Sequence, residues 1–217
     1  MLTSLVSNPD TDISTLTTGS TRELLASFPY HQNYIDLSRL ECCTLEAFLP
    51  STCLSRRSSP KNVAFIGSGP LPLTSFCILD IYPEAHVYNI DRDQPALNLS
   101  QKLAQELGYG SRMSFSCEDI SPDSLVTTTD WSQFDVVFLA ALVGMDTSSK
   151  IPILAHLARK LKPGTLLVAR SAQGLRGVLY PVLELGENLQ RVGYEILGEL
   201  HPWTKVVNSI VVLRVEE

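Results

Sequence analysis

No run of basic residues longer than the Arg56-Arg57 pair occurs in this 217-residue chain, and the formal net charge is −6. Nucleic acid is bound through clustered positive charge, so a nucleic-acid partner is not expected. No apolar stretch is long enough to span a bilayer, so no membrane partner is expected either. The first twenty residues lack the basic and apolar segments of a signal peptide. Cysteine is sparse and unpatterned: Cys42, Cys43, Cys53, Cys77 and Cys117 are odd in number and contain no CxxC. That pattern implies reduced thiols in a cytoplasmic protein and no disulfide framework. The adjacent Cys42-Cys43 pair has poor geometry for chelation, so no protein-bound metal is expected. What remains, with 44% hydrophobic and 18% charged residues, is an α/β chain large enough for its own core.

The chain divides into three parts. Residues 1–20 are polar and without periodicity and read as a disordered leader. Residues 21–62 read as a helical segment and a linker. Leu24, Phe28, Ile35, Leu37, Leu40, Leu45 and Phe48 recur at helical spacing, interrupted at Pro29. A linker rich in Ser, Pro and Arg follows from Pro50 to Asn62. From residue 63 to 217, strand and helix alternate. Strands are expected at Val63–Ile66, Val87–Ile90, Met113–Cys117, Phe134–Ala140 and Thr165–Ala169. Helices are expected at Leu71–Ile81, Pro95–Leu107, Lys150–Leu161 and Tyr180–Val192. Tyr194–Leu200 and Val206–Val215 then follow as consecutive strands, which implies an antiparallel hairpin at the sheet edge. A mostly parallel α/β sheet closed this way is a Rossmann-like, methyltransferase-type sheet.

The joint after the first of these strands carries the chemistry. Gly67-Ser68-Gly69-Pro70-Leu71-Pro72 connects strand to helix, the place where an open α/β sheet meets a nucleotide-like ligand. A pyrophosphate cradle needs free N–H groups at the helix start. Pro70 and Pro72 stand there, and proline has no N–H to give. The turn therefore favours a nucleoside without phosphates, such as S-adenosylmethionine, over NAD or ATP; a plain tight turn is the other reading. Asp91 ends the second strand at the offset suited to a ribose hydroxyl. Asp119 follows the third strand and suits either an adenine amino group or a turn. Ala140 to Met145, with Ala140 and Leu142, either walls the ligand or is simple core. Arg170 and Arg176 bracket a glycine-containing turn and suit bidentate recognition of a carboxylate.

Longer strings carry a family likeness. They are Phe28-Pro29-Tyr30, Asn33-Tyr34 and Leu40-Glu41; Val63 to Ser75; Phe134 to Asp146; Arg170-Ser171-Ala172 with Arg176; Leu179-Tyr180-Pro181; His201-Pro202; and Val206-Val207-Asn208-Ser209. Together they resemble nicotianamine synthase, from about residue 22 to the C-terminus. The resemblance implies an aminocarboxypropyltransferase. An amine attacks the Cγ of the methionine moiety of S-adenosylmethionine, and methylthioadenosine leaves. Repeated transfer and closure of an azetidine ring give nicotianamine, a chelator of metal ions. The attacking amine must be neutral, so a nearby group takes its proton. The resemblance points to Glu41 as that base, with Tyr30 and Tyr34 orienting or shielding the amine. Gly67, Ser68, Gly69, Pro70, Asp91, Asp119, Ala140 and Leu142 are expected around the donor, and Arg170 and Arg176 around a substrate carboxylate. His201 and Asn208 either touch substrate or fix the hairpin.

The chain departs from the pattern in places. His31 stands where a tyrosine is usual, and Gln173 where a histidine is usual. Plant members carry a further helical region before the Phe-Pro-Tyr string. Two alternatives stay open: a methyltransferase on the same sheet, and a non-catalytic S-adenosylmethionine-binding domain.

Overall fold

In the computed structural model, residues 18–49, 51–53, 56–57, 59–122, 124, 128–202 and 204–217 are described. The leader expected over residues 1–20 lies largely outside them. Helix α1 (Thr18–Ala26) and helix α2 (His31–Glu46) meet at a corner containing Pro29. On α2, Leu37, Ser38, Glu41, Cys42 and Leu45 are buried, a single inner stripe at helical spacing. A carboxylate thus occupies a position the helix pattern reserves for apolar side chains. The stretch read as a linker contains a two-stranded antiparallel ribbon, β1 (Ser51–Cys53) and β2 (Arg56–Arg57).

The main sheet has seven strands in the order β5-β4-β3-β6-β7-β9-β8. Its members are β3 (Asn62–Ile66), β4 (His86–Asp91), β5 (Met113–Cys117), β6 (Val136–Leu139), β7 (Leu166–Ser171), β8 (Tyr194–Leu200) and β9 (Ser209–Val215). The first five are parallel, and β9 runs antiparallel to both β7 and β8. The hairpin therefore folds back, with its second strand entering the sheet and its first forming the edge. The strand order reverses at β3, which lies between β4 and β6; the crevice beside its carboxyl end is where such sheets bind ligands.

Two apolar clusters cover the two faces. One gathers Leu37 and Leu45 of α2, Phe76 and Ile78 of α3 (Leu73–Ile81), and Val63, Phe65, Val168 and Ile210 from the sheet. Helix α4 (Gln94–Glu106) joins it through Ala104. The other gathers Leu154 and Leu157 of α5 (Thr147–Ala158), Leu189 of α6 (Glu187–Arg191), and Ile66, Val137, Leu139, Leu167 and Val211. Adjacent strand residues alternate between the clusters, as a sheet covered on both faces requires.

One expected element is corrected. Tyr180–Val192 is not a helix: only Glu187–Arg191 is helical, after a 3₁₀ turn at Gly174–Val178. Side chains from other elements take the backbone bonds of the intervening segment. Ser171 Oγ accepts from the Leu183 N–H, while Thr147 Oγ1 donates to the Val182 carbonyl and accepts from the Glu184 N–H. Two further shifts are small. Asp146 caps α5 through a reciprocal Asp146–Ser149 box, so that helix begins at Thr147. The last strand begins at Ser209, because the described residues before it, 201–202 and 204–208, are held from outside. Arg176 donates to the carbonyls of Pro202 (2.8 Å) and Thr204 (3.2 Å), and Asn33 to that of Lys205 (2.8 Å).

Candidate active site

At the carboxyl end of β3, Gly67 and Gly69 both take positive φ, +79° and +63°. A side chain at Gly67 would meet Val143 Cγ2 at 2.5 Å and Ala140 Cβ at 3.0 Å, so the turn lies against the loop that follows β6. The backbone here is closed inward. The Gly67 N–H donates to the Ile90 carbonyl (2.8 Å) and the Gly69 N–H to Asp91 Oδ2 (2.8 Å). Asp91 Oδ1 accepts from the Asp93 N–H. These N–H groups are committed, so the turn offers no phosphate cradle. Asp91 holds the turn, and each of its oxygens keeps a second lone pair. Ser68 is buried at the same turn, and its Oγ has no hydrogen-bond partner.

At the end of β5, Asp119 is exposed and its Oδ1 accepts from the Ser121 N–H, a turn arrangement. Its neighbour Glu118 is the buried one. Glu118 Oε1 accepts from the hydroxyls of Ser116 (2.7 Å), Thr128 (2.8 Å) and Thr129 (2.5 Å), and Oε2 has no partner. Burial acts to raise its pKa, but the three hydroxyls outweigh it and hold the carboxyl below its ordinary range. Sequence reasoning missed Glu118. The available signal was the i, i+2 relation to Ser116, which places both on one side of the strand.

After β6, Ala140 packs against Gly67, while Leu142 and Met145 are exposed at the rim. The loop between them is anchored from below by Lys150 on α5. That side chain is fully buried and donates to the carbonyls of Ala141 (2.7 Å) and Val143 (2.5 Å). Gly144 makes room for it: a side chain there would meet Lys150 Cγ at 2.7 Å. Burial pushes the Lys150 ammonium down to about 8 from 10.5. Between those values the folded state binds fewer protons than the unfolded one, so the contribution of Lys150 to stability rises with pH. The stability of the parent chain relative to Lys150→Met is therefore expected to increase from pH 8 towards 10.5, by about 3 kcal/mol at full span. Urea denaturation of both chains across that range checks this; a flat difference would show that burial leaves the lysine as basic in the folded chain as in the unfolded one.

The central feature joins α2 to β7. Arg170 is 6% exposed and Glu41 fully buried. Arg170 Nε donates to Glu41 Oε1 (2.7 Å) and Nη2 to Glu41 Oε2 (2.9 Å), a bidentate pair. Nη2 also donates to Thr74 Oγ1 (2.7 Å), in the first turn of α3 beyond the glycine turn. The guanidinium lies 5.5 Å from the centroid of the Phe65 ring on β3. Burial acts to lower the Arg170 pKa, and Glu41 overcomes it, leaving it raised.

Tyr30 and Tyr34 flank Phe28, with ring centroids 5.8 and 6.5 Å from it; Tyr30 is exposed and Tyr34 half-buried. Tyr180, not singled out as a site residue from sequence, joins them. Burial and then Tyr34 push its phenol above the ordinary value, while Arg170 pulls it down, so these groups share one electrostatic neighbourhood. Arg176 does not join them, being spent on the carbonyls of Pro202 and Thr204. His201 binds within the hairpin: Nδ1 lies 2.9 Å from Ser209 Oγ and Nε2 lies 3.4 Å from Glu199. Among the described residues, no group of three or more His, Cys, Asp or Glu side chains is placed to hold a metal ion, and no helix is long and apolar enough to cross a membrane.

A family profile described as "Nicotianamine synthase protein" matches residues 11–217. Nicotianamine synthase 2 of Oryza sativa subsp. japonica is 40% identical over 88% of this chain and 56% of its own length. Nicotianamine synthase 9 of Hordeum vulgare is 41% identical over 88% of this chain and 53% of its own. The chain thus spans about half the length of the curated relatives it matches. Among solved structures, MtNAS in complex with MTA and tNA is 25% identical with a TM-score of 0.68, covering 89% of this chain and 64% of that one. A mutant of MtNAS in complex with S-adenosylmethionine gives 25% identity and a TM-score of 0.67, over 90% of this chain and 66% of that one. The S-adenosylmethionine-dependent methyltransferase SibL, at 17% identity and a TM-score of 0.59 over 73% of this chain and 51% of that one, shares the fold. The parallel sheet with its folded-back hairpin is therefore the Rossmann-like sheet of these enzymes, and the chain belongs to the nicotianamine synthase family.

Proposed function

We propose that the protein transfers 3-amino-3-carboxypropyl groups from S-adenosylmethionine to an amine, releasing methylthioadenosine and forming nicotianamine. The observation that carries this reading is the buried Glu41–Arg170 pair. It is tied through Thr74 to the helix that follows the glycine turn, with paired distances of 2.7 and 2.9 Å. A carboxylate held dry beside a sulfonium site suits a base that takes a proton from an attacking amine.

In this reading residues 63–217 form the donor-binding domain and residues 21–62 fold over it. The donor lies along the carboxyl ends of β3, β4 and β6, against Gly67, Ser68, Gly69, Pro70, Asp91, Ala140 and Leu142. At the end of β5, next to β4, Glu118 takes the place of Asp119 as the buried acceptor. The nucleophilic nitrogen forms a bond to Cγ, the Cγ–S bond breaks, and its electron pair stays on sulfur. A neutral thioether leaves. The proton shed by the new ammonium goes to a Glu41 oxygen, each of which keeps a lone pair beyond its bond to Arg170. Arg170 fixes the carboxylate in one plane and orientation. Tyr34, with Tyr30 at the rim, shields the amine. S-adenosylmethionine is consumed as substrate, and the reaction calls for no resident metal. The unpaired thiols of Cys42, Cys43, Cys77 and Cys117 suit a cytoplasmic location.

Incubation of the purified chain with S-adenosylmethionine, followed by mass spectrometry, tests the reading. Methylthioadenosine together with nicotianamine is the expected result. S-adenosylhomocysteine would assign methyl transfer, and binding without any product would leave a donor-binding domain.

A further inference from the structure

Lys150 takes no part in the transfer chemistry, yet its ammonium is fully buried in the first turn of α5. Burying that charge is costly, and a methionine of similar length would fill the space without the cost. The surrounding backbone is nevertheless fitted to the lysine. Gly144 takes φ +73°, and a side chain there would meet Lys150 Cγ at 2.7 Å and its backbone N and Cα at 3.1 Å. Burial alone lowers the Lys150 pKa, and no neighbouring charge acts on it. The charged groups nearest along the packed elements are otherwise engaged. Asp146 accepts from Ser148 and Ser149, and Glu187 on α6 pairs with Arg191. Glu184 is exposed beside Thr147, and His156 lies further along α5, held below its ordinary value.

What the ammonium holds is the loop after β6. It binds the carbonyls of Ala141 and Val143, two residues apart. In a planar trans peptide the C=O and N–H point in opposite directions. Turning both carbonyls down to Lys150 therefore turns the Leu142 and Gly144 N–H groups away from it and fixes the path of the chain between them. The same loop touches the glycine turn, since a side chain at Gly67 would meet Val143 Cγ2 and Ala140 Cβ. Without the ammonium, two carbonyls at a buried position lose their donor. The peptides would rotate towards water, and Leu142 and Val143 would move with them.

We infer that Lys150 is a positioning residue for the donor: its charge holds the loop from Ala140 to Met145 against the glycine turn, and donor affinity follows the protonation of the ammonium. This rests on the placement of the donor crevice given above. With the ammonium pushed down to about 8, the two bonds are charge-assisted below that pH. Above it a neutral amine makes them at about half the strength. Donor affinity therefore falls as pH rises through about 8. Across the same range the contribution of Lys150 to folding stability rises. The two move in opposite directions, whereas a purely structural lysine would move them together.

Calorimetric titration of methylthioadenosine into the parent chain and Lys150→Met tests this, because that ligand has no group of its own that titrates near pH 8. At about pH 7, Lys150→Met is expected to bind about tenfold more weakly with unchanged stoichiometry. The parent chain is expected to lose about threefold in affinity between about pH 7 and about pH 9.5, as its two bonds weaken by half. Any pH dependence that Lys150→Met retains arises elsewhere, Cys117 at the end of β5 included, and is subtracted. Equal affinity in the two chains overturns the inference, as do equal pH profiles. Lower stoichiometry at unchanged affinity also overturns it, since that reports a smaller folded fraction. Should Lys150→Met fail to fold, Gly144→Ala takes its place, because the added methyl pushes the loop off the lysine; unchanged affinity there overturns the inference as well. A parent chain that binds no methylthioadenosine at either pH removes the donor crevice itself, and the positioning role with it.

Discussion

Glu41→Gln is expected to slow methylthioadenosine formation by about 10²- to 10⁴-fold, the usual range for loss of a general base. Donor affinity should change by no more than a few-fold, since the donor turn is built from β3, β4 and β6 and Glu41 enters from α2. The substitution is nearly isosteric, so the effect is chemical. A neutral amide can still accept from Arg170 Nε through its oxygen, but its NH₂ faces Nη2, where Glu41 Oε2 now accepts at 2.9 Å. Two donors facing each other in a fully buried site disturb the pair, and a lower melting temperature should accompany the lost rate. Single-turnover product analysis and calorimetric titration with S-adenosylmethionine measure the two effects separately. Retention of a tenth or more of the parent rate would remove Glu41 as the base. Equal loss of donor binding and rate would give it a structural role only.

The sheet was legible because its strands are short apolar runs bounded by glycine, proline and charge. Val136, Val137, Phe138 and Leu139 are all buried, so the run is continuous and needs no alternation to be seen. Tyr180–Val192 misled because Leu183 and Leu189 are indeed buried, yet their burial arises in a segment tied down by Ser171 and Thr147. Side-chain bonds arriving from distant elements leave no periodic trace. The site shows the same limit. Glu41 and Arg170 each stood out locally, one by its string on a helix and one at a strand end. That they bind each other across 129 positions of sequence is a property of packing alone. Arg170 was expected to hold a carboxylate, and in the folded chain the one it holds belongs to Glu41. Lys150 gave no signal at all, since a lysine opening an apolar stripe reads as a solvated end. The glycine turn was read correctly as a poor phosphate site for one reason, its prolines, and the structure adds a second: Asp91 has already taken the Gly69 N–H.

Arg170→Met is expected to cost about 3–5 kcal/mol of stability, because it leaves the Glu41 carboxylate buried and without its counter-ion. The single replacement Glu41→Met should cost a similar amount, by stranding the guanidinium against Phe65 and Thr74. The double variant Glu41→Met/Arg170→Met removes both charges and fills much of their volume with apolar side chains. It is expected to recover most of the lost stability, giving a coupling of at least about 2 kcal/mol between the two positions. Urea denaturation of the parent chain, both single variants and the double at pH 7 measures that coupling. Additive losses would show that the two side chains do not act as a unit. All three variants are expected to lack transferase activity, the double variant included. A double variant as stable as the parent and yet inactive would separate folding from chemistry at this pair. Folding would then be served equally well by two methionines, and the requirement for a fixed, water-excluded carboxylate would come from the reaction.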